Sequence, residues 1–164
     1  MTLGDVRIFY LEMNSPKQLV EKPPVADLII LEAEIKEFRF NQYLYRLIGE
    51  SWQWVDKLND SPRQWQAHVE RPQLRTWVAY YKGTIAGYFE LEIADNGDVE
   101  ILYFGLAPKF IGQGFGGYLL STAVKHAWQL CQAKRVCLNT CSLDHPRALA
   151  NYQACGFQLY TQTA

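Results

Sequence analysis

The sequence predicts a mixed α/β fold in which helices flank a central, largely antiparallel sheet. Strand-like and helix-like segments follow one another along the 164 residues, with three consecutive strands near the middle. An Asn-Gly pair at 96–97, the strongest short hairpin signal, joins two of those strands. Hydrophobic residues make up 49% of the chain and charged residues 20%. This composition is globular, and the length predicts a single domain over residues 1–164.

Two strands and then two helices are predicted in the first half of the chain. Residues 5–13 are rich in β-branched and aromatic residues, and residues 26–34 are dense in isoleucine and leucine, so both are predicted strands. Apolar residues recur at three- and four-residue spacing over residues 38–49, which predicts a helix. A second helix is predicted to begin at Ser61 and Pro62, because serine caps helices and proline suits their first position.

The second half is predicted to begin with a three-stranded meander over residues 76–108, with turns at 82–83 and 96–97. Glu90 and Glu92 alternate with apolar residues in the middle strand, which predicts one polar face there.

A helix, a strand, a helix and a strand are predicted after the meander. Residues 118–132 carry an apolar stripe at helical spacing, and residues 135–140 have strand composition. The last helix is predicted to begin at Pro146 and end at Gly156, before a final strand.

The composition argues against several classes of protein. The formal net charge is −1, which argues against binding to nucleic acid through phosphate neutralisation. The sequence has no apolar run of about 18 residues and no secretion-type start, so we expect a cytoplasmic protein that does not bind membranes.

The four cysteines are expected to be reduced thiols. Cys131, Cys137, Cys141 and Cys155 include no Cys-x-x-Cys pair, and no histidine follows at zinc spacing, so we expect no metal. A catalytic pair of Cys141 with His145 is the alternative interpretation.

A glycine-rich stretch, FIGQGFGGYLL at residues 110–120, lies between a predicted strand and a predicted helix. The first amides of a helix have no partner within it and carry partial positive charge, so the arrangement suits a bound phosphate. A P-loop would need Gly-Lys-Ser/Thr, which is absent. The G-x-G-x-x-G pattern of dinucleotide-binding folds is matched, but no acidic residue follows about 20 positions later. A simple tight turn is the remaining alternative.

A third pattern matches better. Residues 111–116 (Ile-Gly-Gln-Gly-Phe-Gly) resemble the acyl-CoA signature of the GNAT superfamily of N-acetyltransferases, (Gln/Arg)-x-x-Gly-x-(Gly/Ala). The family's late helix signature, Ala-x-x-x-Tyr-x-x-x-Gly-Phe, is met by Ala148, Tyr152, Gly156 and Phe157. The resemblance covers residues 76–160 and implies the GNAT fold, in which the fourth and fifth strands splay apart.

The resemblance implies an enzyme that moves an acetyl group from acetyl-CoA, its cosubstrate, to a primary amine by direct attack. The acceptor would be a small molecule or a peptide. Glu100 matches the position of a base in members that have glutamate there, and Tyr152 matches the acid that protonates the departing thiolate. Glu90 and Glu92 are alternative bases that would act through water.

The resemblance also implies a coenzyme site. An oxyanion-binding amide is expected near Gly105 and Leu106, and Gly105 is consistent with the strand bulge found there in the family. The predicted coenzyme-binding residues are Gly105, Leu106, Ala107, Ile111, Gly112, Gln113, Gly114, Phe115, Gly116, Gly117, Asn139 and Tyr152. Ile111 departs from the signature's Gln or Arg, and Gln113 and Lys109 are the candidates to contact phosphate in its place.

The acceptor side of the fold is the least defined by the sequence. The resemblance places there the first two helices and their loop, with Tyr43, Tyr45, Arg46, Glu50, Trp52 and Trp54. Such residues suit an amine with an apolar body, or alternatively form core and the contacts of a homodimer. A catalytically inactive CoA-binding or ligand-sensing module on the same fold is the rival interpretation, which Ile111 favours.

Overall fold

The computed structural model describes residues 5–163, which form seven strands and four α-helices in the order that the sequence predicts. The strands are β1 (Ile8–Met13), β2 (Leu28–Glu32), β3 (Leu74–Tyr81), β4 (Thr84–Ile93), β5 (Val99–Leu106), β6 (Val136–Cys141) and β7 (Gln158–Gln162). The helices are α1 (Phe38–Gly49), α2 (Pro62–Val69), α3 (Phe115–Gln129) and α4 (Ala148–Cys155). Within the described residues, no helix is both long enough and apolar enough to cross a membrane.

All seven strands belong to one sheet, in the order β2-β3-β4-β5-β6-β1-β7. Neighbouring strands are antiparallel except β5 and β6, which run parallel. The mixed, largely antiparallel sheet confirms the predicted fold class. β1, from the start of the chain, lies between β6 and β7, a position that no sequence pattern indicated.

Helices cover both faces of the sheet. Consecutive residues of a strand point to opposite faces. On β3, Thr76 accepts a hydrogen bond from Asn41 of α1, whereas Trp77 stacks on His126 of α3. α1 therefore lies on one face with α2, its neighbour, and α3 lies on the other.

The polar face predicted on the middle strand of the meander is covered by helices, because Glu90 is completely buried beneath α1 and α2. Asn41 Nδ2 donates to Glu90 Oε2 at 2.9 Å, and His68 Nε2 lies 2.7 Å from Glu90 Oε1. A buried carboxylate requires such partners, since burying it without them is strongly unfavourable. Glu92 is half-buried and paired with Arg71.

The segment between β1 and β2 crosses the face that carries α3. The amide of Val20 donates to the carbonyl of Cys155 at 2.8 Å, beside the end of α4. The amide of Lys22 donates to Ser121 Oγ of α3, also at 2.8 Å. The two bonds fix this segment against both helices.

Candidate functional site

A cleft of about 1250 Å³ opens where β5 and β6 part. The two strands are paired at Val99–Val136, Glu100–Cys137 and Ile101–Leu138, and the pairing ends there. Beyond Ile101, backbone groups of both strands border the cleft instead of bonding to each other. β5 and β6 correspond to the fourth and fifth strands of the GNAT-like fold implied by the resemblance, so the predicted splaying of those two strands is confirmed.

A β-bulge in β5 lies at the point of separation. The register with β4 shifts so that Glu90 faces two residues of β5, 102–103. The predicted bulge position, Gly105, is wrong, because Gly105 pairs regularly with β4. Glycine is required at 105 for a different reason, since a Cβ there would lie 2.7 Å from Ile48 Cγ2 of α1.

The pairing with β4 determines which amides of β5 point into the cleft. Ala107 N donates to Ala86 O at 2.8 Å, so the Ala107 amide points to β4. Amides alternate in direction along a strand, so the Gly105 amide also points to β4, whereas those of Phe104 and Leu106 point to the cleft. An oxyanion-binding amide was expected near Gly105 and Leu106, and of these two amides only that of Leu106 points to the cleft.

The glycine-rich loop between β5 and α3 forms one end of the cleft. Gly112 and Gly114 have φ angles of +84° and +83°, where a residue with a Cβ is strained. α3 begins at Phe115, so its unpaired first amides border the cleft. The predicted start at residue 118 was three residues too late.

All the predicted coenzyme-binding residues line the cleft except Ala107 and Gln113. Ala107 is buried. The Gln113 side-chain amide donates to the carbonyl of Lys109 at 3.0 Å, so it is engaged within the loop. Lys109 does not line the cleft either. Neither of the two side chains expected to contact phosphate in place of Ile111 therefore borders the site.

Glu100 lies on the cleft wall, whereas Glu90 and Glu92 do not. Asn139 Nδ2 donates to Glu100 Oε1 at 3.3 Å. Burial raises the pKa of the Glu100 carboxyl, and the negative charge of Glu92, its cross-strand neighbour on β4, raises it further. A carboxylate with a raised pKa is a stronger base once it is ionised, so the environment suits proton abstraction.

Tyr152 of α4 lines the same cleft. Its ring packs against Phe104 and Phe157, with centroid distances of 6.1 and 6.3 Å. Burial raises the pKa of the Tyr152 hydroxyl, and the carboxylate of Asp144 adds to the rise. The hydroxyl therefore stays protonated at neutral pH and can donate a proton or a hydrogen bond.

Aromatic and acidic side chains form the wall of the cleft nearest α1. The Trp54 ring lies 5.7 Å from that of Tyr45 and 5.4 Å from that of Tyr103. Asp56 accepts hydrogen bonds from both tyrosine hydroxyls. Burial and these bonds raise the pKa of both hydroxyls, which therefore remain donors to Asp56. Trp54, Asp56 and Tyr103 line the cleft, and Tyr45 is buried behind them.

Two loops meet beside this wall. Trp52, which follows α1, and His145, which precedes α4, have ring centroids 5.2 Å apart. Trp54 Nε1 donates to Asp144 Oδ1 at 3.4 Å. All four residues line the cleft, so these contacts join its β5 side to its β6 side.

Only part of this lining could be predicted from the sequence. Of the residues expected on the acceptor side, Trp52 and Trp54 line the cleft, and Tyr43, Tyr45, Arg46 and Glu50 do not. Lys22, Asp56 and Asp144 line it without having been singled out, because none belongs to a short motif. The four cysteines are free thiols. Among residues 5–163, no group of three His, Cys, Asp or Glu side chains is placed to hold a metal ion.

Comparison with known proteins gives one family match. Residues 41–157 match the model of the Acetyltransferase (GNAT) family. No curated protein matches the chain.

Solved structures share the fold at low sequence identity. A GCN5-related N-acetyltransferase from Kribbella flavida is 15% identical with a TM-score of 0.68, over 95% of this chain and 55% of that one. A tandem GNAT protein from the clavulanic acid biosynthesis pathway is 14% identical with a TM-score of 0.67, over 96% of this chain and 50% of that one. An IAA acetyltransferase from Bacillus cereus ATCC 14579 is 25% identical with a TM-score of 0.62, over 82% of this chain and 79% of that one. The chain spans about half the length of the first two.

Proposed function

Because this chain belongs to the Acetyltransferase (GNAT) family, we propose that it is an N-acetyltransferase that uses acetyl-CoA and acts on a primary amine. The observation that carries the proposal is the cleft between β5 and β6. It joins the glycine-rich loop, the Glu100 carboxyl and the Tyr152 hydroxyl in one space. The loop amides suit a diphosphate, and the two side chains suit proton transfer.

Glu100 is the proposed base. A lysine-type ammonium, with a pKa near ~10.4, cannot attack a carbonyl carbon until it loses a proton. Glu100 takes this proton, directly or through one water molecule. The neutral nitrogen then bonds to the thioester carbonyl carbon.

A backbone amide and Tyr152 are the proposed partners of the charges that develop next. The amide of Leu106 donates to the carbonyl oxygen as it becomes negative, and such a donor typically contributes about 3–4 kcal/mol. When the carbon–sulfur bond breaks, Tyr152 gives its proton to the departing thiolate and recovers one from solvent, and the attached nitrogen loses its second proton to solvent. The products are an amide and a free thiol.

The wall beside α1 is the proposed acceptor site. Trp54 and Tyr103 offer aromatic faces that attract cations, and the Asp56 carboxylate adds negative charge. These groups support a small-molecule or peptide amine that combines an apolar body with a positive charge.

Calorimetric titration with acetyl-CoA, followed by an amine screen that measures release of free thiol, tests the proposal. We expect acetyl-CoA to bind and at least one amine to release thiol. An absence of heat at millimolar acetyl-CoA, or binding of NADH in its place, contradicts the proposal.

A second function, a coenzyme-A-binding sensor without turnover, is favoured by Ile111, which has no donor for phosphate. Acetyl-CoA binding without thiol release from any amine in the screen would support this second function.

A further inference from the structure

The residue at position 111 gives the anion site no hydrogen-bond donor. Ile111 lines the cleft but cannot donate a hydrogen bond. Gln113 and Lys109 do not line the cleft. The described residues that line it include Lys22 and Arg147, whose side chains end in basic groups with several N–H donors.

Lys22 lies directly against the first turn of α3. A Cβ added to Gly117 would come within 2.9 Å of Lys22 Cγ and 3.4 Å of Lys22 Cβ. The lysine stem therefore occupies the space that a side chain at 117 would need. Gly117 belongs to the first turn of α3, whose amides have no partner within the helix. Lys22 and these amides border the same end of the cleft.

The backbone holds Lys22 in this place. Its amide donates to Ser121 Oγ at 2.8 Å, and Ser121 is only 1% exposed. Two residues earlier, Val20 is bonded to the carbonyl of Cys155. A lysine whose backbone is already fixed loses less freedom when it binds a ligand.

The ammonium of Lys22 is available to an anion. Among residues 5–163 it forms no ion pair, whereas the neighbouring Glu21 pairs with Lys125. Burial raises the pKa of the Cys155 thiol to about 11, and the positive charge of Lys22 opposes that rise. Lys22 therefore acts on the end of α4 as well as on the start of α3.

We infer that Lys22 binds the diphosphate of acetyl-CoA and supplies the charged contact that Ile111 cannot make, an inference that rests on the proposed function. A helix N-terminus and an ammonium attract the same anion, and a charge-assisted hydrogen bond is about twice as strong as a neutral one. The inference also accounts for glycine at 117, which the signature does not require. Any larger residue there would displace the Lys22 stem.

Calorimetry with acetyl-CoA on Lys22→Ala tests the inference, with Lys17→Ala as the matched control. Lys17 belongs to the same segment, is exposed and does not line the cleft. We expect Kd to rise about tenfold in Lys22→Ala, to recover in Lys22→Arg and to stay unchanged in Lys17→Ala. The difference between wild type and Lys22→Ala should shrink in ~1 M salt, which screens the charge.

Acetyl-pantetheine, a donor without diphosphate, separates anion binding from a general structural effect. We expect Lys22→Ala to leave kcat/KM for this donor unchanged. Equal reductions with both donors, or an unchanged Kd for acetyl-CoA, overturn the inference and leave the proposed function intact. Failure of the wild-type protein to bind acetyl-CoA overturns both.

Gly117→Ala provides a second, independent test. Alanine suits a helix better than glycine, so the variant should fold, but its methyl group displaces Lys22. We expect Kd to rise about as much as in Lys22→Ala, and we expect Gly117→Ala to add little in the Lys22→Ala background. Fully additive effects in the double variant contradict the inference.

Discussion

Glycines within residues 112–117 are required for different reasons. Gly112 and Gly114 adopt left-handed backbone angles, and a Cβ on either would meet nothing within 4 Å, so conformation and not space excludes other residues. Gly117 is limited by space, because the Lys22 stem crosses it. The two kinds of requirement predict different outcomes. Shortening the Lys22 side chain should make alanine acceptable at 117, but it should not make alanine acceptable at 112 or 114.

Replacing Tyr152 separates proton donation from packing. Phenylalanine keeps the ring against Phe104 and Phe157 but removes the hydroxyl. We expect kcat of Tyr152→Phe to fall about a hundredfold, the usual contribution of a general acid, and Kd for acetyl-CoA to change less than about twofold. Thiol release and calorimetry measure the two. Tyr43→Phe, an exposed tyrosine on α1, is the control, and equal reductions of kcat and binding in Tyr152→Phe would indicate a packing role.

The pH dependence of activity depends on Glu100. Its carboxyl must be ionised to act as a base, and its pKa is raised by burial and by Glu92. As the pH is lowered, kcat/KM should therefore begin to fall at a pH above the ordinary pKa of glutamate. Glu92→Gln removes a negative charge and lowers the pKa of Glu100. We therefore expect the acid limb of the pH profile to move to lower pH in Glu92→Gln.

The control for this shift is Glu70→Gln, which removes an exposed carboxylate outside the cleft. A limb that stays in place in Glu92→Gln, or moves equally in Glu70→Gln, would exclude Glu100 as the group that titrates.

Residues in short motifs could be predicted, whereas residues brought together by the path of the chain could not. The loop glycines and Tyr152 stand at fixed spacings within single segments, so pattern matching located them. Asp56 and Lys22 belong to irregular segments that reach the cleft only because α1 ends beside β5 and the segment after β1 crosses α3. No local pattern encodes either path.

At the scale of elements, the buried carboxylate of Glu90 ties α1 and α2 to the sheet. Asn41 of α1 and His68 of α2 both bond to it. We expect Asn41→Ala to lower the free energy of unfolding by about 1–3 kcal/mol, because it leaves a buried charged group with one donor fewer. Urea denaturation measures the change. Gln42→Ala on the same helix should change it by less than about 0.5 kcal/mol, and equal effects would argue against the network.

The starts of α3 and α4 differ from the predicted starts. Glycine disfavours helices by about 1 kcal/mol relative to alanine, so residues 115–117 have loop composition. Phe115 is nevertheless buried in the core, and this packing extends α3 over them. α4 begins at Ala148, two residues after the predicted Pro146. The type and order of the elements, which depend on longer patterns, were predicted correctly.

For the molecule as a whole, the unpredicted feature is the position of β1. Leu11 is paired with Leu138 of β6 on one side and Leu159 of β7 on the other. The composition of residues 8–13 predicts a strand but carries no information about partners that lie far along the chain. Strand order in a sheet depends on such distant pairings, and only the hairpins of the meander have a local turn signal.

Gly156 lies where the end of α4 packs against the segment that follows β1. It follows α4 with a φ of +116°, and a Cβ there would lie 2.0 Å from the carbonyl oxygen of Gln18. Both the backbone conformation and the contact exclude a side chain. We expect Gly156→Ala to lower the free energy of unfolding by at least ~2 kcal/mol and to weaken acetyl-CoA binding, because the segment that carries Lys22 must move.

Thermal denaturation and calorimetry measure these two effects, and Gly97→Ala is the control. Gly97 also has a positive φ, but a Cβ there would meet nothing within 4 Å. An equal decrease of stability in both variants would show that conformation alone accounts for the effect.

The place of β1 in the sheet also bears on how the chain folds while it is being synthesised. Arg7 and Ser142, which bond beside the β1–β6 ladder, are 135 residues apart. At ~5–20 residues per second, translation of that interval takes on the order of ten seconds. Both edges of β1 lack their partners throughout this time, and an unpaired edge is a template for pairing with other chains. Slower translation is therefore expected to lengthen the period in which nascent chains aggregate.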